Sequence, residues 1–296
     1  MRRKNTFQNH APFVKRGVFF VLFGFIFLFF SQMGATRAVF AENKGKDNPY
    51  GWEKISGYTT YFNQNDGGRC ENIAIAASLI DGVTIQAYGE FSFNGTVGRR
   101  TAEAGFQQAK IIVNGEYVLG VGGGVCQVST TLYNAALKSG LTATEFHPHS
   151  LLVGYVQPSR DAMVSSQSDL KLFNPRSHAV YLSAKVENGA VKIAFFGKND
   201  GDRYEIVSKT LGQIPPPKPI VKDGEEDGVL REERQGVKSE SYLERYRGNQ
   251  LLCRKKLRED VYSPIQGIIS KKSCVFDTEN AFKMLSNDCL FLRKLL

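Results

Sequence analysis

The stretch Gly120-Val121-Gly122-Gly123-Gly124-Val125-Cys126-Gln127-Val128-Ser129-Thr130-Thr131-Leu132 separates two kinds of local order. Before it, residues 110–120 read as a β-hairpin: Ile111-Ile112-Val113, then Asn114-Gly115, then Tyr117-Val118-Leu119. Asn-Gly supplies the positive φ angles of a two-residue hairpin turn. After it, residues 126–139 predict a helix, with Val125, Val128, Leu132 and Ala136 on one face and Gly140 as its stop. The consecutive glycines between them permit positive φ and a close backbone approach.

The same reading extends in both directions. Residues 58–62 are rich in β-formers, 63–68 make a polar turn, and Ile73, Ala76, Ala77 and Ile80 recur at helical spacing before Asp81-Gly82. Downstream, residues 142–149, 151–156, 162–165 and 170–173 are β-like. Residues 180–186 and 190–196 form a second hairpin about Asn188-Gly189. The expectation is an α+β domain over residues 57–198: a mixed, mostly antiparallel sheet with two main helices, followed by a small β-hairpin module. Residues 42–56 read as a linker. Residues 199–235 read as a second one, stiffened by Pro215-Pro216-Pro217-Lys218-Pro219. Residues 236–270 hold two β-like runs around Arg247-Gly248-Asn249. Residues 271–296 are an atypical extension, amphipathic as a helix through Phe282, Leu285, Cys289 and Leu292.

Composition narrows the function. The chain has 296 residues, 38 Lys+Arg against 29 Asp+Glu, and a formal net charge of +9. Arg2, Arg3, Lys4, Lys15, Arg16 and Arg37 fall in the first 41 residues without an acid, which leaves +3 for the remainder. The basic excess therefore sits on an address, and charge gives no support for nucleic-acid binding. Residues 17–30, GVFFVLFGFIFLFF, are an apolar run of 14 residues after a basic start. That is short for a bilayer core of about 30 Å. The segment reads as an export signal cleaved after Ala41, or as an uncleaved anchor if Ser31 to Ala35 extend the span. Both readings put the rest of the chain outside the cytoplasm. Five cysteines, Cys70, Cys126, Cys253, Cys274 and Cys289, leave at least one thiol unpaired in an exported chain.

The glycine run precedes a cysteine at a helix start. There, unpaired N–H groups and the helix dipole favour a thiolate. Free N–H donors beside the sulfur also suit an oxyanion. A thiol nucleophile needs a base, and His147, His149 and His178 are the histidines after the leader; Asp161 and Asp169 follow the first two as orienting candidates. Cysteine is equally at home as a small buried apolar group. His147 and His149 share a strand face without a third ligand at a matching spacing, and no Lys-Ser/Thr follows the glycines as in a phosphate loop, so neither metal nor cofactor is expected.

Several blocks together resemble the VanW family: Thr59-Thr60-Tyr61-Phe62, Arg69 with Asn72-Ile73, Gly89-Glu90-Phe91-Ser92-Phe93-Asn94, GGGVCQVSTTLYNAAL from Gly122, His149-Ser150, Tyr155-Val156, Arg160-Asp161-Ala162 and Asp169-Leu170. The resemblance spans about residues 56–197 and is most specific in the GGGVCQ string. It implies a bacterial cell-envelope protein associated with glycopeptide resistance, without fixing a reaction. Residues 236–264 resemble the G5-like β tail that often follows.

Two functions follow. In the first, Cys126 is the nucleophile, His149 the base and Asp161 or Asp169 the orienting acid. Gly124, Gln127 and their neighbours supply oxyanion donors for acyl transfer or hydrolysis on a peptide-containing wall substrate. In the second, the domain is a non-catalytic module that binds peptidoglycan or its precursors, or joins an envelope complex. Gly123, Gly124, Gln127, Ser129, Thr130, Arg160 and Asp169 are the expected ligand contacts.

Overall fold

The computed structural model describes residues 50–113 and 115–272. The leader and the 273–296 extension, with Cys274 and Cys289, lie outside the described residues. Strands are β1 (Glu53–Tyr61), β2 (Thr84–Ile85), β3 (Glu90–Ser92), β4 (Gln108–Val113), β5 (Glu116–Val121), β6 (Thr142–Glu145), β7 (Lys171–Phe173), β8 (Val180–Glu187), β9 (Ala190–Gly197), β10 (Asp202–Ile214), β11 (Ile220–Gly224), β12 (Gly228–Arg231), β13 (Gly236–Arg247), β14 (Gln250–Tyr262) and β15 (Ile268–Lys272). Helices are α1 (Gly67–Ile80), α2 (Phe93–Val97) and α3 (Val125–Lys138). The class is α+β, and the sheets are antiparallel except where β11 runs parallel to β15.

A sheet in the order β1-β9-β8-β2 carries α1 and α3. The β8–β9 turn is Asn188-Gly189, both at positive φ, as the hairpin reading requires. Ile73, Ile80, Leu132, Leu182, Ile193 and Phe195 form the centre of the core. Each such side chain contributes about 1.5–3 kcal/mol on burial. A smaller sheet, β3-β7-β6, and the β4–β5 ribbon flank this core.

α3 departs from the one-faced helix its spacing predicts. Its residues are buried all round as far as Leu137, except for the half-buried Cys126. The polar side is not solvated, because β1 and residues 157–165 cover it. Thr131 Oγ1 meets Thr60 Oγ1 at 2.7 Å, and Asn134 Nδ2 donates to the Arg160 carbonyl at 2.7 Å. The buried Thr131 and Asn134 thus have partners, which makes their burial tolerable, whereas the buried Tyr133 hydroxyl has none among the described residues.

Three sequence expectations need correction. The first linker ends early, because residues 53–56 already pair in β1. Residues 151–156 form turns rather than a strand, and residues 162–165 contribute only the isolated bridge between Met163 and His147. The second linker is largely sheet: β10 pairs with β13 along its length, and β11 and β12 flank β15. The order β10-β13-β14 makes one sheet, and its Ile206, Leu243 and Leu257 join or pack on the same core. The proline run does separate β10 from β11.

Candidate functional site

Cys126 sits at the second position of α3, two residues after Gly124, whose φ of 106° starts the helix. A Cβ on Gly124 would stand 3.0 Å from both Arg69 Cγ and Ile73 Cγ1 of α1. One on Gly123 would stand 2.6 Å from the Lys110 carbonyl and 2.8 Å from Ala109 Cβ. The glycines therefore let the helix tip press against both α1 and β4. Asn72 fastens the arrangement by donating to the Gly123 and Gln107 carbonyls, each at 2.9 Å.

The sulfur faces a cleft of about 970 Å³ that His149, Tyr155, Val164, Arg100 and the β4–β5 ribbon also line. As a thiol, Cys126 donates to the Val164 carbonyl at 3.3 Å. The His149 ring lines the same cleft and interacts electrostatically with the sulfur. His149 Nδ1 lies 2.6 Å from Asp161 Oδ2, and the His149 N–H donates to the same oxygen at 2.7 Å. An ionised carboxylate only accepts, so Nδ1 carries the proton and Nε2 is left for the sulfur.

Electrostatics follow from these contacts. Burial disfavours the thiolate, but the hydrogen bond and charge of His149, the Val164 backbone and the Arg100 charge outweigh it, and the Cys126 pKa is lowered. Burial likewise disfavours an imidazolium, yet the bonds to Asp161 and Cys126 raise His149 to about 9. Burial penalises ionised Asp161, but His149, Arg258 and Tyr262 hold it at about 2. The arrangement favours a thiolate–imidazolium pair backed by a carboxylate. Tyr155, which lines the same cleft, is pushed well above the ordinary phenol range, first by burial and then by the Cys126 charge.

Asp161 is held from a second direction. Its Oδ1 accepts from Tyr262 Oη and from Arg258, each at 2.5 Å. The Tyr262 oxygen in turn accepts from the Ser159 N–H at 2.7 Å. Ser159 Oγ meets Ser239 Oγ at 2.7 Å, and Ser208 donates to the Pro158 carbonyl at 2.6 Å. β10, β13 and β14 together grip the loop that presents Asp161.

Residues 68–196 match the family model described as VanW like protein. Over these residues the chain is similar to that family. The uncharacterized protein YoaR of Bacillus subtilis (strain 168) is 37% identical to this chain over 164 residues, which is 55% of this chain and 52% of YoaR. The chain thus spans about half the length of that relative. Two solved G5 structures, HP0197-G5 and the IgA1 protease G5 domain, are 16% and 17% identical. They cover 24% and 26% of this chain and 93% and 98% of their own, at TM-scores of 0.15 and 0.17.

The VanW-like domain brings Cys126, His149 and Asp161 together and places Gly123, Gly124 and Gln127 along the cleft. The Gln127 amide is committed: Oε1 accepts from Arg69 at 2.5 Å, and Nε2 donates to Thr60 Oγ1 and the Tyr61 carbonyl, each at 3.0 Å. Its side chain is a brace and not an oxyanion donor. Four other expected ligand contacts have different partners. Ser129 donates to the Ala162 carbonyl at 2.6 Å, and Thr130 accepts from the Ala162 N–H at 2.9 Å. Arg160 Nε donates to Asn134 at 2.9 Å. Asp169 accepts from the Asn94 N–H at 2.8 Å and from Ser92 at 2.6 Å. These residues tie the site's loops to α3 and α2, and none lines the cleft. His147 lies 3.2 Å from Glu145 and outside the triad.

Arg258 and Tyr262 escaped the sequence reading. The available signal is an inverted strand: Arg258, Asp260 and Tyr262 alternate on the inner face of β14, while Val261 stands outside at 59% exposure. Polar residues at period two on a buried face imply partners supplied by another segment.

Proposed function

We propose that this exported, cell-envelope protein acts on peptidoglycan or its precursors by thiol-dependent acyl transfer or hydrolysis. The observation that carries the reading is His149, bound through Nδ1 to the buried Asp161 and lining the same cleft as the Cys126 sulfur, with which it interacts electrostatically. The basic start and apolar run of the leader support export. The family supports an envelope setting.

The Cys126 thiolate attacks the carbonyl carbon of a substrate amide, forming a C–S bond and a tetrahedral oxyanion. The Val125 and Gln127 N–H groups are taken by the Gly122 and Gly124 carbonyls at 3.2 and 2.9 Å. The Cys126 N–H, in the first turn, is the donor for that oxyanion, with the protonated Tyr155 hydroxyl beside it. The C–N bond then breaks, and the leaving amine takes the His149 proton. A water or an acceptor amine attacks the thioester, giving its proton to His149 and restoring the thiolate–imidazolium pair. Asp161 keeps the ring oriented throughout, and Arg258 and Tyr262 are positioning residues behind it. The alternative of a non-catalytic binding module drew on Ser129, Thr130 and Arg160, which are buried braces.

The test is alkylation by iodoacetamide at neutral pH, read for each cysteine by peptide mapping. Cys126 labels faster than the exposed Cys253, and incubation with peptidoglycan fragments yields amide cleavage that Cys126→Ala abolishes. Labelling no faster than Cys253 removes the nucleophile.

A further inference from the structure

The cleft holds positive charge that the triad does not need. Arg69, Arg99, Arg100 and Lys110 all line it, and no Asp or Glu does among the described residues. The triad compensates these cations chiefly at Arg100, which feels the Cys126 sulfur. His149 draws on that same sulfur, and Asp161 is turned away from the cleft onto Arg258 and Tyr262. Asp169, whose charge does reach Arg100, spends its oxygens on the Asn94 and Leu170 N–H groups and on Ser92.

The cations differ in rigidity. Arg100 is half-buried and fixed, with Nη1 donating to Asn94 Oδ1 at 2.8 Å and to the Gly98 carbonyl at 3.1 Å. Its charge is felt at the Cys126 sulfur. Arg99 and Lys110 are exposed, on the loop after α2 and on β4. The remaining wall is mixed: Ile112, Val113 and Tyr117 of the ribbon line it with Val153 and Met163, and Thr101, Ser165 and Ser166 add uncharged polar groups. A guanidinium held beside a reactive sulfur, with two looser cations further out and an uncharged wall, is an arrangement for an anion on an otherwise uncharged chain.

We propose that the acyl donor is an anionic peptide, with a free carboxylate close to the attacked carbonyl docking on Arg100 and Arg99, and Lys110 drawing the same charge into the cleft. This rests on Cys126 being the nucleophile and deepens that reading by naming its substrate class. The carboxylate sets which amide meets the sulfur, since a peptide without it leaves the guanidinium groups unpaired in a partly desolvated cleft.

The probe pair is iodoacetate and iodoacetamide, which alkylate the same sulfur and differ in one negative charge. The full chain is reacted with each at pH 7 and low salt, and peptide mapping gives the iodoacetate-to-iodoacetamide rate ratio at Cys126 and at Cys253. The ratio at Cys126 exceeds that at Cys253 on the order of tenfold, and 0.5 M salt reduces the excess. Arg99→Gln with Lys110→Gln lowers the ratio towards that of Cys253. Both are exposed positions, so the double variant keeps its fold. A ratio at Cys126 equal to that at Cys253, with iodoacetamide still fast, overturns the anionic substrate and leaves the nucleophile standing. A raised ratio that the double variant does not change assigns the attraction to Arg100 and His149 beside the sulfur and overturns the docking site on Arg99 and Lys110. Slow labelling by both reagents removes the nucleophile and this proposal with it.

Discussion

The VanW-like domain and the β10-β13-β14 sheet meet at one carboxylate and treat it differently. The domain uses Asp161 Oδ2 to orient His149, on a scaffold whose core is aliphatic and aromatic. The sheet uses Oδ1, and it does so by turning Arg258, Asp260 and Tyr262 inward. A strand with an inward polar face cannot satisfy itself, because Arg258 needs Asp161 as well as Asp260, which lies 2.7 Å away. The lesson is that the match at residues 68–196 stops short of the machinery. The downstream sheet supplies the far side of the site, and the two regions stabilise each other through a shared buried charge.

Separating the regions is the strongest way to break this comparison. A chain ending at residue 198 leaves Asp161 buried without Arg258 or Tyr262 and strips Ile206, Leu243 and Leu257 from the core edge. It is expected to lose its cooperative thermal transition by circular dichroism, and a sharp transition like that of the full chain would make the domain self-sufficient. Arg258→Ala is a smaller cut, expected to cost about 3–5 kcal/mol in urea unfolding because it leaves carboxylates unpaired in the interior.

His149→Ala leaves the sheet's grip intact and removes the imidazolium. Iodoacetamide labelling of Cys126 at pH 7 should fall roughly 10- to 100-fold, as the imidazolium that favours the thiolate is lost. An unchanged rate would assign the low thiol pKa to Arg100 and the helix tip. Tyr262→Phe removes one hydrogen bond to a charged acceptor, about 1.5–3 kcal/mol in the same unfolding assay. It should also move the pH dependence of labelling while leaving the fold in place, which a purely structural role would not do.

A further effect is in the pH dependence of stability. His149 is raised to about 9 in the folded chain, so its contribution is fully present below about pH 6.5, the ordinary imidazole value, and is lost as pH rises through 9. Asp161 is depressed to about 2, so its contribution is present above about pH 4 and is lost as pH falls through 2. Urea midpoints measured between pH 5 and 10 should decline on the alkaline side, and His149→Ala should flatten that limb.

The elements written in local chemistry were legible. Asn188-Gly189 fixes a hairpin whatever surrounds it, and a glycine run followed by Cys126 marks a helix tip. The meeting of Cys126, His149 and Asp161 could be listed as a set because their residue types are complementary, although no spacing rule brings them together. What was illegible depends on distant partners. Ser129, Thr130 and Arg160 look like ligand contacts in a polar string, and only the covering loop turns them into braces. β10 reads as a linker because its residues from Ser208 to Gln213 alternate weakly, and it is a strand because β13 lies alongside it. The inward Arg258 and Tyr262 look like ordinary surface residues until the loop of Ser159 and Asp161 is seen beneath them.

The absent side chain at residue 123 has a mechanical consequence. With a carbonyl of β4 only 2.6 Å from where a methyl would stand, the gap above the sulfur is gauged by a hydrogen atom. Gly123→Ala would push the ribbon outward and widen the mouth while every reactive group stayed in place, so reach and reactivity are governed by different parts of the molecule.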